Sequence, residues 1–238
     1  MKNDKSSGLL ILVVIGFLTI VVWQLPYGRL VLYPFTILGT WFHEMGHGLT
    51  AIVLGGSFHQ LKLFPDGSGL AEHSPNTFLG GFGRALIAAG GPIGPSLAGS
   101  LFIISSNRVK LSRSMMFILS VFQVVSCILW IRSTFGFIII LIFGIVGLFI
   151  SLKGSDNLQK FTLRFLGIQA IASLYLSVDY LFSKGGVVGG MSFSSDTAVI
   201  SESLFLPYWF WAIAIIALSA LLLLGSLVYV FQKKKTQG

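Results

Sequence analysis

The sequence predicts an all-α polytopic membrane protein of about seven transmembrane helices, with a short membrane-associated β-hairpin after the second. Three observations predict it. Hydrophobic residues fill 54% of the 238 positions and charged residues only 10%, against about 25% charged in an ordinary soluble domain. Uncharged runs of roughly 20 residues, enough to cross about 30 Å of hydrocarbon as a helix, recur from end to end. These runs lack the alternation of a barrel strand, and lipid leaves a spanning backbone no third way to satisfy its polar groups.

The first predicted span is Leu9 to Trp23. Lys2 and Lys5 before it imitate a signal peptide, but no small-x-small cleavage site precedes Gln24-Leu25-Pro26, so the segment is expected to be retained. The second, about Leu30 to Leu54, carries two histidines and stops at Gly55-Gly56, where glycine tolerates a left-handed cap. In the polar stretch that follows, Gln60-Leu61-Lys62-Leu63 alternates with period two before the turn residues Pro65-Asp66-Gly67-Ser68-Gly69, which predicts the hairpin. The third span, about Phe78 to Ser105, contains Gly90-Gly91-Pro92-Ile93-Gly94-Pro95. Those residues predict a kinked or broken helix that neighbours can approach closely.

Spans four and five, about Ser114 to Ile131 and Phe135 to Leu152, contain no acidic residue and are read as scaffold. The sixth, about Leu163 to Phe182, contains Asp179. The seventh, about Leu204 to Phe231, ends at Lys233-Lys234-Lys235. Between them, residues 183 to 203 are rich in glycine and serine and include Asp196 and Glu202. No internal repeat or soluble domain is visible, so residues 1 to 238 are expected to form one integral membrane domain. Its chemical core would be about 30 to 105 plus 163 to 205.

The formal charge of +8 does not imply nucleic acid, because the basic residues lie in short clusters between apolar runs, as membrane-surface anchors do. The lipid bilayer is the partner they fit. Cys127 is the only cysteine, so no internal disulfide can form.

The chemistry lies in His43-Glu44-Met45-Gly46-His47. On a helix, residues four apart lie about 40° apart around the axis and one turn apart along it, so both imidazoles can face one ion. Glu44 is rotated by about 100° from His43, which suits a carboxylate that reaches a water beside the metal and takes its proton. Random placement of these residue types would give the motif in about one such chain in a thousand. Ionisable groups inside an apolar span are costly and mark functional sites.

A catalytic zinc of this kind takes three protein ligands and leaves a position for water. Asp4, Asp66, Glu72 and Asp156 fall in a tail, a turn, the hairpin region and a basic loop, which leaves Asp179, Asp196 and Glu202. Asp179 is the first choice, because an unpaired carboxylate on an apolar helix is expensive and a metal would remove the penalty. Asp196, after Ser194-Ser195, is the alternative, although it also reads as the N-cap of a short helix. His59 and His73 could each supply a nitrogen but sit in the hairpin region. Arg84 could steady a carboxylate or an oxyanion, or simply snorkel to the interface.

The run His43-Glu44-Met45-Gly46-His47-Gly48, followed by Ala51, Gly55-Gly56, the turn and the glycine-proline span, resembles the site-2-protease family of intramembrane zinc metallopeptidases. It is most similar to the compact bacterial branch without a PDZ domain, over about residues 35 to 100 and more loosely from Asp179 to Tyr208. The resemblance implies a Zn2+ held by the two histidines and an aspartate, cleavage of membrane-protein substrates within or near the bilayer, and a bacterial cell membrane as the location. It also implies that the hairpin near Gln60 to Leu70 receives an unwound substrate segment by β-strand addition.

Two departures stand against the family pattern. Gly91-Pro92-Ile93-Gly94-Pro95 has proline where a Gly-Pro-x-x-Asn element has asparagine, and Ser177-Val178-Asp179-Tyr180 shares only the aspartate with a Leu-Asp-Gly-like motif. A non-proteolytic relative that binds membrane proteins is the alternative function, and a transporter with broken helices a more distant one.

Overall fold

The computed structural model describes residues 3–74, 77–188 and 190–232. Lys2 and the cluster Lys233 to Lys235 lie outside the described residues. Helix α1 (Asn3–Gln24) leads through a turn containing Pro26 into α2 (Gly28–Val53), and the two axes meet at 118°. Gly28 permits this bend, since any Cβ there would collide with the Val22 carbonyl. A hairpin of β1 (Phe58–Leu63) and β2 (Gly69–His73) follows, then α3 (Gly80–Ser105), α4 (Val109–Leu129) and α5 (Thr134–Lys153). The chain continues through α6 (Asp156–Leu176), the short α7 (Val178–Leu181), a second hairpin of β3 (Gly185–Val188) and β4 (Met191–Ser194), α8 (Asp196–Leu204) and α9 (Tyr208–Gln232).

Helices α3, α4, α5 and α9 are each long and apolar enough to cross a bilayer, and the bent pair of α1 and α2 adds a fifth span if counted as one. The seven spans expected from the sequence are not confirmed. Two of them account for the difference. The first joins the second through the sharp bend. The sixth belongs to a helix that starts at Asp156, well before Leu163, so it includes Lys160 and Arg164 and buries Gln159 and Gln169. That helix also ends earlier, at Leu176.

α3 is central and packs against α2, α6, α8 and α9. It runs as one helix through Pro92 and Pro95, so the expected break does not occur. Inside a helical bundle, neighbours and small local adjustments cover the backbone groups that proline frees. The α2 face opposite the histidines forms the main core: Ile37, Trp41 and Met45 are buried together with Leu61 and Leu63 of β1 and Met116 of α4. The Trp41 indole N–H donates to Ser126 Oγ on α4 at 3.1 Å, which fixes the rotation of α2.

The first hairpin lies where the sequence places it. Leu61 pairs with Ala71, and Leu63 with Gly69. In the turn, the Ser68 N–H and Oγ–H both donate to Asp66 Oδ1, at 2.9 and 2.6 Å. Two hydroxyls of α2 hold the turn down: Tyr33 donates to the Pro65 carbonyl at 2.5 Å and Thr40 to the Gly67 carbonyl at 2.7 Å. The other edge of β1 is occupied, because Leu61 N–H donates to the Trp130 carbonyl and Arg132 N–H to the Leu61 carbonyl.

Candidate active site

His43 and His47 face α3 with their Nε2 atoms 3.1 Å apart. Close helix packing makes the room. A Cβ on Gly46 would strike the Gly90 carbonyl, one on Gly94 would come within 2.7 Å of the Phe42 carbonyl, and one on Gly91 would overlap the His47 ring and lie 2.8 Å from His43 Nε2. Of the glycines predicted to allow close approach, Gly91 sits directly over the imidazoles, while Gly90 and Gly94 let the two helix backbones meet. His47 Nδ1 lies 2.8 Å from the Ile87 carbonyl of α3. A carbonyl can only accept, so Nδ1 carries the proton and the Nε2 lone pair points into the site, the usual way a metal-binding histidine is oriented.

The third group is Asp196, the first residue of α8. Its Oδ1 lies 3.2 Å from His47 Nε2 and its Oδ2 3.1 Å from His43 Nε2. Oδ2 is buried yet accepts no aligned hydrogen bond. Ser195 performs the capping that the sequence could also assign to Asp196: its Oγ accepts from Ala198 N–H and donates to the Ser183 carbonyl. Thr197 Oγ1–H donates to the Leu181 carbonyl at 2.7 Å. These bonds staple the start of α8 to the end of α7 and leave the Asp196 carboxylate to turn inward.

His43, His47 and Asp196 offer ligand atoms that all lie within 4.8 Å of one another. A tetrahedral zinc with bonds of 2.0 to 2.1 Å has ligand-to-ligand edges of about 3.3 Å, close to the separations here. The charge balance agrees. Glu44 and Asp196 are both buried, and with neutral imidazoles their two negative charges are those a divalent cation cancels. The residues present therefore fit a zinc ion.

Glu44 points from α2 toward the hairpin. Its carboxylate lies near the Ala71 backbone, and a Cβ on Gly69 would lie 2.7 Å from its Cγ. A cleft of about 340 Å³ opens beside it, bounded by α2, the hairpin turn, Pro92, Pro95 and Tyr180. A second portion of about 270 Å³ reaches His47, Asp196, Ala71 and Phe193.

The structure separates the sequence-predicted residues cleanly. Asp179, the expected third ligand, is exposed on α7 and outside the cluster, in which Asp196 stands beside the two histidines. The apolar helix ends at Leu176, so Asp179 lies beyond it on an exposed position. His59 is exposed and bonds Ser57 at 3.1 Å. His73 stacks on His47, with ring centroids 6.3 Å apart, and supplies no atom to the cluster. Arg84 pairs with Glu202 at 3.5 Å, both more than half exposed, which also removes Glu202 as a ligand.

The residue that sequence reasoning missed is Tyr180. Its hydroxyl lies near the Asp196 backbone, and burial, with the nearby Asp196 and Glu44 carboxylates adding to it, pushes the phenol well above its usual pKa. It is held as a neutral donor.

With this geometry in place, comparison with known proteins is informative. A family model described as Peptidase M50B-like matches residues 10–226. The chain belongs to that family. No curated protein and no solved structure matches it. The Peptidase M50B-like family falls within the site-2 proteases, so membership supports a membrane metallopeptidase-type function. The M50 family is zinc-dependent, in keeping with the two histidines and aspartate drawn together here.

Proposed function

We propose that this M50B-like chain is an intramembrane zinc metalloendopeptidase that cuts transmembrane or membrane-proximal peptide bonds. His43, His47 and Asp196 hold the metal and Glu44 is the general base. The observation that carries the reading is the convergence of two Nε2 atoms and a buried carboxylate at 3.1 to 3.2 Å, one helical position from a buried glutamate.

When bound, a zinc ion would polarise a water and lower its pKa toward about 7. Glu44 is placed to take a proton from a water in the cleft as the water oxygen bonds to the scissile carbonyl carbon and the carbonyl π pair moves onto its oxygen. Glu44 then returns the proton to the amide nitrogen as the C–N bond breaks. One water is consumed, and a carboxyl and an amine end are formed.

A substrate helix hides its peptide bonds and must unwind first. The outer edge of β2 suits the unwound segment. Leu61 and Leu63 turn their N–H groups away from β2, toward Trp130 and Ser133, so the paired Ala71 and Gly69 turn theirs away from β1. That edge runs along the cleft beside His43 and Glu44, so an added strand would lie alongside the metal.

One feature favours a non-proteolytic binding protein: Pro95, where the family pattern has asparagine, borders the same cleft. A single set of measurements decides between them. The purified chain should contain one zinc, lost in His47→Ala and Asp196→Ala and retained in Asp179→Ala. Unfolded casein in detergent should be cut by the wild type and not by zinc-loaded Glu44→Gln. Zinc without any cleavage would assign the binding role, and zinc retained in Asp196→Ala would remove the proposed ligand set.

A further inference from the structure

We propose that the Tyr180 hydroxyl donates a hydrogen bond to the substrate oxygen that becomes negative when the scissile carbonyl is attacked, making Tyr180 a second catalytic residue. The proposal rests on the protease reading above.

Among the described residues, His43, Glu44, Gly69 and Tyr180 border both portions of the cleft. Three of the four already have a role there, as metal ligand, general base and entry to the open strand edge. Tyr180 stands at the same junction but comes from α7, on a wall of the cleft that the hairpin does not form.

Its hydroxyl is kept as a donor. The Asp196 N–H, among the first backbone donors of α8 that have no acceptor inside their own helix, lies near the Tyr180 oxygen, as do the Asp196 and Glu44 carboxylates. A neutral phenol beside two carboxylates keeps its proton and has it to give. Gly186 of β3 lies against the ring, where its Cβ would meet Cδ2 and Cε2 at 4.0 Å.

Two other side-chain donors of the cleft, Arg84 and His73, are engaged elsewhere. Arg84 is paired with Glu202 and mostly exposed. His73 is stacked on His47. Asp196 and Glu44 are acceptors, so the developing oxyanion has no donor from them, and a single well-placed donor in a buried site is worth about 10²- to 10³-fold in rate.

Tyr180→Phe keeps the ring and removes the proton. It should retain stoichiometric zinc and a casein KM within about twofold of wild type, with kcat lower by about 10²-fold. Independently of turnover, calorimetry should show its dissociation constant for a phosphinic peptide, whose tetrahedral anionic oxygens mimic the attacked carbonyl, raised by a similar factor. A kcat within threefold of wild type, or unchanged phosphinate binding, would overturn the proposal. Loss of zinc would overturn it too, since Tyr180 would then act only by holding Asp196. If Tyr180→Phe is fully active while Glu44→Gln is inactive, only this inference fails. If wild-type protein with bound zinc cuts nothing, the protease reading fails with it.

Discussion

The α2–α3 and α4–α5 pairs are both brought together by glycine, yet the glycines face different neighbours. Between α4 and α5, a Cβ on Gly144 would press on the Val124 side chain at 2.9 Å and the Ser120 carbonyl at 3.3 Å, a contact between helix surfaces alone. Between α2 and α3, Gly91 leaves its space to the two imidazoles. The same small-residue device thus packs helices in one pair and makes room for two imidazoles in the other. From sequence the two uses look alike, and only the residue opposite the glycine distinguishes them.

Substitutions can break or sharpen that contrast. The largest effect is expected for Gly91→Ala, which should expel zinc and lower casein cleavage by at least about 100-fold, since a displacement near 1 Å in such a site costs that much. Metal analysis checks it, and retained stoichiometric zinc would show that the cage can relax. Gly144→Ala should instead lower stability by about 1 to 3 kcal/mol through overpacking, seen as a reduced Tm in detergent, with zinc content untouched.

Thr40→Val removes the hydroxyl that ties the hairpin turn to α2 at a loss of about 1 kcal/mol. A rise of about fivefold in KM, at constant kcat, is the outcome that would link hairpin position to substrate uptake. The smallest effect belongs to Asp179→Asn: as an exposed substitution it should move stability by no more than about 0.5 kcal/mol and leave zinc and turnover alone.

Much of this arrangement is legible in the residues. His43 and His47 announce a two-ligand helix by spacing alone, and the alternation before Pro65 locates the hairpin to within a few positions. The approach of Asp196 to the two histidines is not legible, because it depends on contacts between distant segments. Whether Ser195 or Asp196 caps α8 is decided by the Ser183 and Leu181 carbonyls, and nothing local in Ser194-Ser195-Asp196-Thr197 ranks the two. Asp179 attracted attention on the premise that its helix continued to Phe182. The early end at Leu176 removes that premise, and with it the desolvation penalty on which the choice rested.

The span count of seven is not confirmed, for a related reason. A window of apolar residues records length but not direction, so the turn around Pro26 reads as an ordinary boundary between two crossings. Similarly, Leu163 marks where the charges thin out on α6, not where that helix begins.

The blocked side of β1 has a consequence for selectivity. With residues 130 to 132 already seated there, a peptide taken up as proposed would be read along β2, and through its main chain. Amide groups are the same in every sequence, so this mode of capture is nearly blind to side-chain identity. Discrimination would shift to the cost of exposing those amides, favouring helices that come apart cheaply at glycine, proline or asparagine over those that merely carry a preferred residue.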